Sequence, residues 1–143
     1  MSLHPPDIYI RDTGTPTGRG VFARRAFAAG ETVESCAVVL LTCRLASLPG
    51  ELQRLLFNWG VLASLPDRHA LALGYGSLYN HDNPASMRYE ADAEAQQLRF
   101  IAVRDIAGGE ELTINYNALG GMPESDHDGW FEAMGIQRFD PTA

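Results

Sequence analysis

Residues 70–84 break the pattern of an ordinary buried strand, and that break constrains the fold more than any other stretch of the chain. The apolar run Ala70-Leu71-Ala72-Leu73 leads into Gly74-Tyr75-Gly76-Ser77-Leu78-Tyr79, then Asn80-His81, then Asp82-Asn83-Pro84. The glycines free the main chain to turn. Asp and Asn bond their own backbone, and Pro presets φ, so Asp82-Asn83-Pro84 is strong turn chemistry. An apolar segment that ends in glycine, a ring, an amide and a rigid turn is poorly designed for packing alone. It suits a pocket wall that turns backbone and polar side chains toward a ligand.

The rest of the chain predicts many short strands with closely spaced turns. Strands are expected at 8–11, 21–23, 32–41, 85–90, 98–103 and 112–116, with turns at 13–18, 28–31, 91–97 and 105–111. The later half of 32–41 is continuously apolar, which predicts a strand covered on both faces. One sizeable helix is expected over 49–59, with Leu52, Leu55, Leu56 and Trp59 at helical spacing and Gly60 ending it. His69 follows the polar break Pro66-Asp67-Arg68 and reads as a solvent-facing loop histidine. The sum is an α+β fold, mostly β. At 143 residues one domain is expected, long enough to bury a core without disulfides or metals.

Charge and cysteine usage narrow the function. A net charge of −7 argues against nucleic-acid binding and is compatible with a basic partner. Cys36 and Cys43 lack metal-ligand spacing and sit in apolar sequence, so packing is their expected role and no metal site is expected. There is no basic-then-apolar leader and no stretch long enough to span a bilayer, so no membrane contact and a cytoplasmic location are expected. The Ala, Gly and Arg usage points to a bacterial source. Gly18-Arg19-Gly20 lets the backbone approach a ligand closely, but it lacks the third glycine and following helix of a dinucleotide fingerprint.

Three motifs in order carry more than any one of them. Gly18-Arg19-Gly20-Val21-Phe22-Ala23, then Tyr79-Asn80-His81, then Gly109-Glu110-Glu111-Leu112-Thr113-Ile114-Asn115-Tyr116 resemble the SET domain of protein-lysine methyltransferases. Ala28–Glu31 and Arg104–Ile106 fit the same pattern, so the resemblance runs from about Gly18 to Tyr116. It implies small curved sheets with a C-terminal pseudoknot: one SET domain over 1–143, its core at about 18–117 and residues 118–143 a tail packing on that core. It also implies S-adenosylmethionine in one cleft and the target lysine in a narrow channel. Carried over by position, the Arg19-Gly20 backbone meets the amino-acid part of the cofactor. Asn80 and His81 hold its amino group and adenine, with Tyr79 beside them. Tyr116 is the active-site tyrosine and Tyr75 is a second catalytic candidate, and Tyr75 and Tyr79 are both candidates to line the channel.

The implied chemistry suits these residue types. Methyl transfer to lysine is an in-line displacement that needs a desolvated, aligned, neutral amine. Aromatic walls suit a sulfonium donor and a methylammonium product. The expected partner is therefore a lysine-containing protein substrate, basic to match the acidic chain, and a homodimer that completes the channel is a further expectation.

Two features depart from the family pattern. After Asn80-His81 the loop Asp82-Asn83-Pro84 is one residue short, and Ala85 stands where Asn is favoured. The cysteine-rich zinc segment that closes many lysine channels is missing, which nominates Trp130, Phe131 or Phe139 for that task. On these departures the competing reading is a SET-fold binding module with weak or no turnover.

Overall fold

The computed structural model describes residues 6–64, 68–126 and 129–130. Among the described residues nine strands form two sheets. The first has the order β1 (Ile8–Asp12), β2 (Arg19–Ala23), β9 (Glu111–Ile114), β6 (Asn80–His81). The second has the order β4 (Leu56–Asn58), β5 (His69–Ala72), β3 (Thr32–Leu41), β8 (Gln97–Ala102), β7 (Met87–Asp92). Two short helices, α1 (Gly50–Gln53) and α2 (Trp59–Ala63), lie between β3 and β5, and Gly76–Leu78 makes a 3-10 turn just before β6.

β3 is the long strand because it serves two neighbours in turn. Thr32–Ala37 pairs with β8, and Val38–Leu41 pairs with β5. Its later half is not covered on both faces, contrary to the expectation from its apolar run. Val38 is buried while Val39 is 44% exposed, so alternation persists to the strand's end. There β5 supplies hydrogen bonds along one edge, and the outward face stays open. At its start β3 carries an irregularity between Thr32 and Glu34, and in consequence Val33 and Glu34 are both buried. A bulge inserts one extra residue and flips the side chains that follow it.

The helix expected over 49–59 is replaced by α1, β4 and α2. Leu56, Phe57 and Asn58 pair with Leu71, Ala70 and His69. Phe57 sets its ring edge-on to Tyr89 at 5.1 Å and against Phe100 at 6.0 Å. These tertiary contacts outweigh a modest helical preference. The Asn58 side chain then caps α2 by accepting the Val61 N–H at 3.2 Å, which places the fully buried Trp59 in its first turn. His69 is half-buried in β5 between β3 and β4, not in a solvent-facing loop. Tyr79, Tyr89 and Phe100 meet in the core, with Tyr79 and Phe100 centroids 4.8 Å apart.

Candidate active site

The first sheet brings together the three motifs that the chain separates. β2 lies antiparallel to β9, with Val21 opposite Leu112 and Phe22 opposite Glu111. On the other edge of β9, β6 runs parallel, with Asn80 opposite Thr113 and His81 opposite Ile114. The pairing continues past β6, where the Asp82 N–H donates to the Ile114 carbonyl at 3.0 Å. The Asn80 carboxamide ties all three motifs by donating to the Arg19 carbonyl at 2.9 Å and to Glu111 Oε2 at 2.8 Å. Gly20 is needed beneath this knot. A Cβ there would stand 2.5 Å from Glu111 Oε2 and 3.1 Å from Asn80 Nδ2.

Beyond β9 the chain crosses back over residues 83–89 and closes the pseudoknot. Ala85 N–H donates to the Pro123 carbonyl at 2.9 Å, and Tyr89 N–H donates to that of Gly121 at 3.0 Å. Gly121 has φ +85°, and a Cβ would lie 2.0 Å from the Tyr89 carbonyl oxygen, so only glycine fits. The shortened loop keeps an amide at this crossing. Asn83 donates to the Ser125 carbonyl at 2.9 Å and accepts the Ser125 N–H at 3.3 Å. The fully buried Asn115 reaches the same residue, donating to Ser125 Oγ at 3.0 Å.

Two cavities lie against this sheet and share a wall made of Ser77 and Tyr116. The larger, about 200 Å³, is lined by Arg19, Gly20, Leu78 and Asn80 on its other sides. The smaller, about 50 Å³, is aromatic, with Phe57, Tyr79, Tyr89 and Trp130 around Tyr116. Tyr116 is held from three sides. Its hydroxyl donates to the Tyr79 carbonyl, its backbone N–H donates to His81 Nδ1 at 3.0 Å, and its ring meets Trp130 edge-on at 4.7 Å. Burial, and then the Glu111 charge, push the Tyr116 phenol above its ordinary pKa, so it stays protonated at neutral pH.

Most of the residues singled out from sequence converge here. Arg19, Gly20, Asn80 and Tyr116 line the larger cavity together. His81 does not line it; its ring tilts against Tyr116 at 5.3 Å and holds that residue's backbone. Tyr79 lines the smaller cavity and not the larger, and its hydroxyl turns into the core to donate to Glu34 Oε1 at 2.5 Å. Tyr75 lines neither cavity; it is half-buried against the core, with its N–H donated to Glu34 Oε2 at 3.0 Å. Trp130 lies on the smaller cavity, while Phe131 and Phe139 fall outside the described residues.

Sequence reasoning gave no role to Ser77, Glu111 or Glu34. Glu111 stood inside a quoted motif, and its cross-strand contact to Asn80 is visible only once β6 meets β9. Glu34 was legible only as a carboxylate stranded in apolar sequence, because the bulge at its strand's start hides which way it points.

A model of the SET domain family matches residues 18–117, the span that contains β2, β6, β9 and the shared wall. The chain belongs to the SET-domain family. This SET protein is 30% identical over 140 residues to a Schizosaccharomyces pombe histone-lysine N-methyltransferase, H3 lysine-37 specific, covering 94% of this chain and 85% of that one. Among solved structures, a Plasmodium falciparum protein assigned as a histone methyltransferase aligns with a TM-score of 0.61 at 24% identity. That alignment covers 78% of this chain and 93% of the other. ctPRC2 in an autoinhibited conformation bound to S-adenosylmethionine aligns with a TM-score of 0.63 at 18% identity, covering 85% of this chain and 16% of that one. At these identities the two structures show the fold. With the family match and the yeast relative, this SET protein is a protein-lysine methyltransferase.

Proposed function

We propose that this SET protein takes its methyl group from S-adenosylmethionine and delivers it to a lysine of a basic, histone-like polypeptide. The observation that carries the reading is the pair of cavities sharing Ser77 and Tyr116, one polar and roomy, one narrow and aromatic. The larger cavity fits the proposed donor by its chemistry. Arg19 and Asn80 offer groups suited to a carboxylate and an ammonium, and Ile10, Val21 and Leu78 offer apolar wall. When bound, S-adenosylmethionine supplies a methyl group on a sulfonium, transferable in line to a neutral amine.

The chain's own residues do the rest. Phe57, Tyr79, Tyr89 and Trp130 give the narrow cavity an aromatic lining, against which an entering lysine would shed hydration and a cationic product would be favoured. Tyr116 spends its proton on the Tyr79 carbonyl, which leaves its oxygen as an acceptor at the wall between the cavities. As a neutral phenol it adds no charge that would hold the incoming amine in its protonated form. The net charge of −7 favours encounter with a basic substrate, and the yeast relative's named substrate supports a histone-like one.

The test is transfer of labelled methyl from S-adenosylmethionine to core histones and to lysine-bearing peptides, read by mass. Label is expected on lysine, and Tyr116→Phe is expected to cut the rate by about a hundredfold while calorimetric binding of the donor is retained. Wild-type protein that is folded yet binds no donor, or that labels no lysine, overturns the reading.

A further inference from the structure

Among the described residues Glu34 is the one buried carboxylate, 6% exposed, and it lines neither cavity. A buried charge is costly unless it is hydrogen-bonded on both oxygens. Here both are bonded, and to the two ends of one turn. Oε2 accepts the Tyr75 N–H at 3.0 Å, just before the 3-10 turn Gly76–Leu78, and Oε1 accepts the Tyr79 hydroxyl at 2.5 Å, just after it. The turn between them carries Ser77, half of the wall between the cavities. Tyr79 in turn supplies the carbonyl that takes the Tyr116 proton.

The glycines of this segment fit the same carboxylate. Gly74, at φ +70°, has Glu34 Oε2 only 2.6 Å from where a Cβ would be, so the chain bends directly over the charge. Gly76 has the Ala72 Cβ at 2.7 Å and Cys36 Sγ at 3.0 Å from its own Cβ position. At both glycines the backbone packs too closely on Glu34, Ala72 and Cys36 to admit a side chain.

We propose that Glu34 is a positioning residue for methyl transfer, clamping both ends of the 75–79 turn so that the Tyr79 carbonyl holds the Tyr116 hydroxyl at the junction of the two cavities. Glu34 lines neither cavity, so it acts through Tyr79 and not on the reactants. Displacement of a reacting group by about an ångström is enough to cost a large factor in rate without weakening binding. The clamp should therefore govern kcat more than either KM.

This inference rests on the methyl-transfer reading, and the test separates the two. Wild type, Glu34→Gln and Tyr79→Phe are compared in the labelled-methyl assay well below their melting temperatures, with donor binding measured by calorimetry. Both variants are expected to lose about tenfold or more in kcat, with KM for donor and lysine substrate each changed by no more than about twofold. Glu34→Gln keeps one acceptor oxygen and loses the other. The double variant is therefore expected to lose less than the product of the two single losses, because each variant releases part of the same clamp. Tyr79→Phe removes only a hydroxyl and keeps the inference testable if Glu34→Gln does not fold. A kcat within about twofold of wild type in folded variants overturns the inference alone, as does a loss confined to KM. No transfer by the wild type overturns the functional reading, and the inference with it.

Discussion

At the scale of the residue, the side chains that line the site are themselves held by neighbours. Asn80 spends its amide nitrogen on Arg19 and Glu111, and that leaves its carbonyl oxygen for the larger cavity it lines. Gly20 makes this arrangement sterically feasible. In Gly20→Ala the new methyl meets Glu111 Oε2, Thr13 Cγ2 and Asn80 Nδ2, and by driving Glu111 Oε2 aside it breaks the bond between the first and the last of these. Donor affinity is expected to fall about tenfold, with a stability loss of about 1–3 kcal/mol from overpacking. Calorimetric titration with S-adenosylmethionine and a urea melt check the two parts. Unchanged affinity would show that the Asn80–Glu111 bond is not needed to shape the cleft.

At the scale of the element, the parallel contact of β6 with β9 is only two residues long and needs outside support. The support comes from the next segment. Ser86 and Thr113 exchange hydrogen bonds while both are buried: Thr113 N–H donates to Ser86 Oγ at 2.9 Å, and Ser86 N–H donates to Thr113 Oγ1 at 3.0 Å. This pair ties β9 to the segment after β6 through side-chain-to-backbone bonds. Thr113→Val keeps the shape but leaves the Ser86 N–H without its acceptor, at a cost of about 1–3 kcal/mol. Thr113→Ser keeps the acceptor and is expected to cost less. Equilibrium urea denaturation with an unchanged slope is the measurement, and equal stabilities of the two variants would contradict the assignment.

At the scale of the whole molecule, the core holds phenols that resist ionisation. Tyr79, Tyr89 and Tyr116 all have raised pKa values, first because burial penalises the phenolate. For Tyr89 the value reaches about 12. The folded state therefore keeps these protons more tightly than the unfolded chain does. Their linked contribution to stability is whole below the unfolded tyrosine value of about 10, and it is lost as pH rises from there through the raised folded values. Thermal melts across this alkaline range are expected to fall steeply, and Tyr89→Phe is expected to flatten the fall. Activity follows a different group. The lysine amine loses its proton near pH 10.4, approximately, and Tyr116 remains a neutral phenol as it does so. The rate should climb with alkaline pH until the fold itself gives way.

The order of three short motifs carried the resemblance to the family, and their local chemistry is legible in the chain: Gly20 for close approach, Asn80-His81 after a turn, Tyr116 after a strand. Local pattern also determined most strands, and for β3 early alternation followed by a continuous apolar run marked its full extent. What only the tertiary structure decided lies where two distant segments meet. Leu56-Phe57-Asn58 read as helix until Leu71 and Ala70 offered edges to pair with and Phe100 offered a ring. Tyr79 read as a neighbour of cofactor and channel, and that its hydroxyl turns into the core was hidden until the bulge in β3 brought Glu34 inward to take it. Asn83 read as a turn residue until Ser125 crossed over it. Periodicity records which face a residue presents to its own element. It holds no record of a bulge that reverses the face, or of a partner dozens of residues away whose hydrogen bonds make burial of a charge affordable.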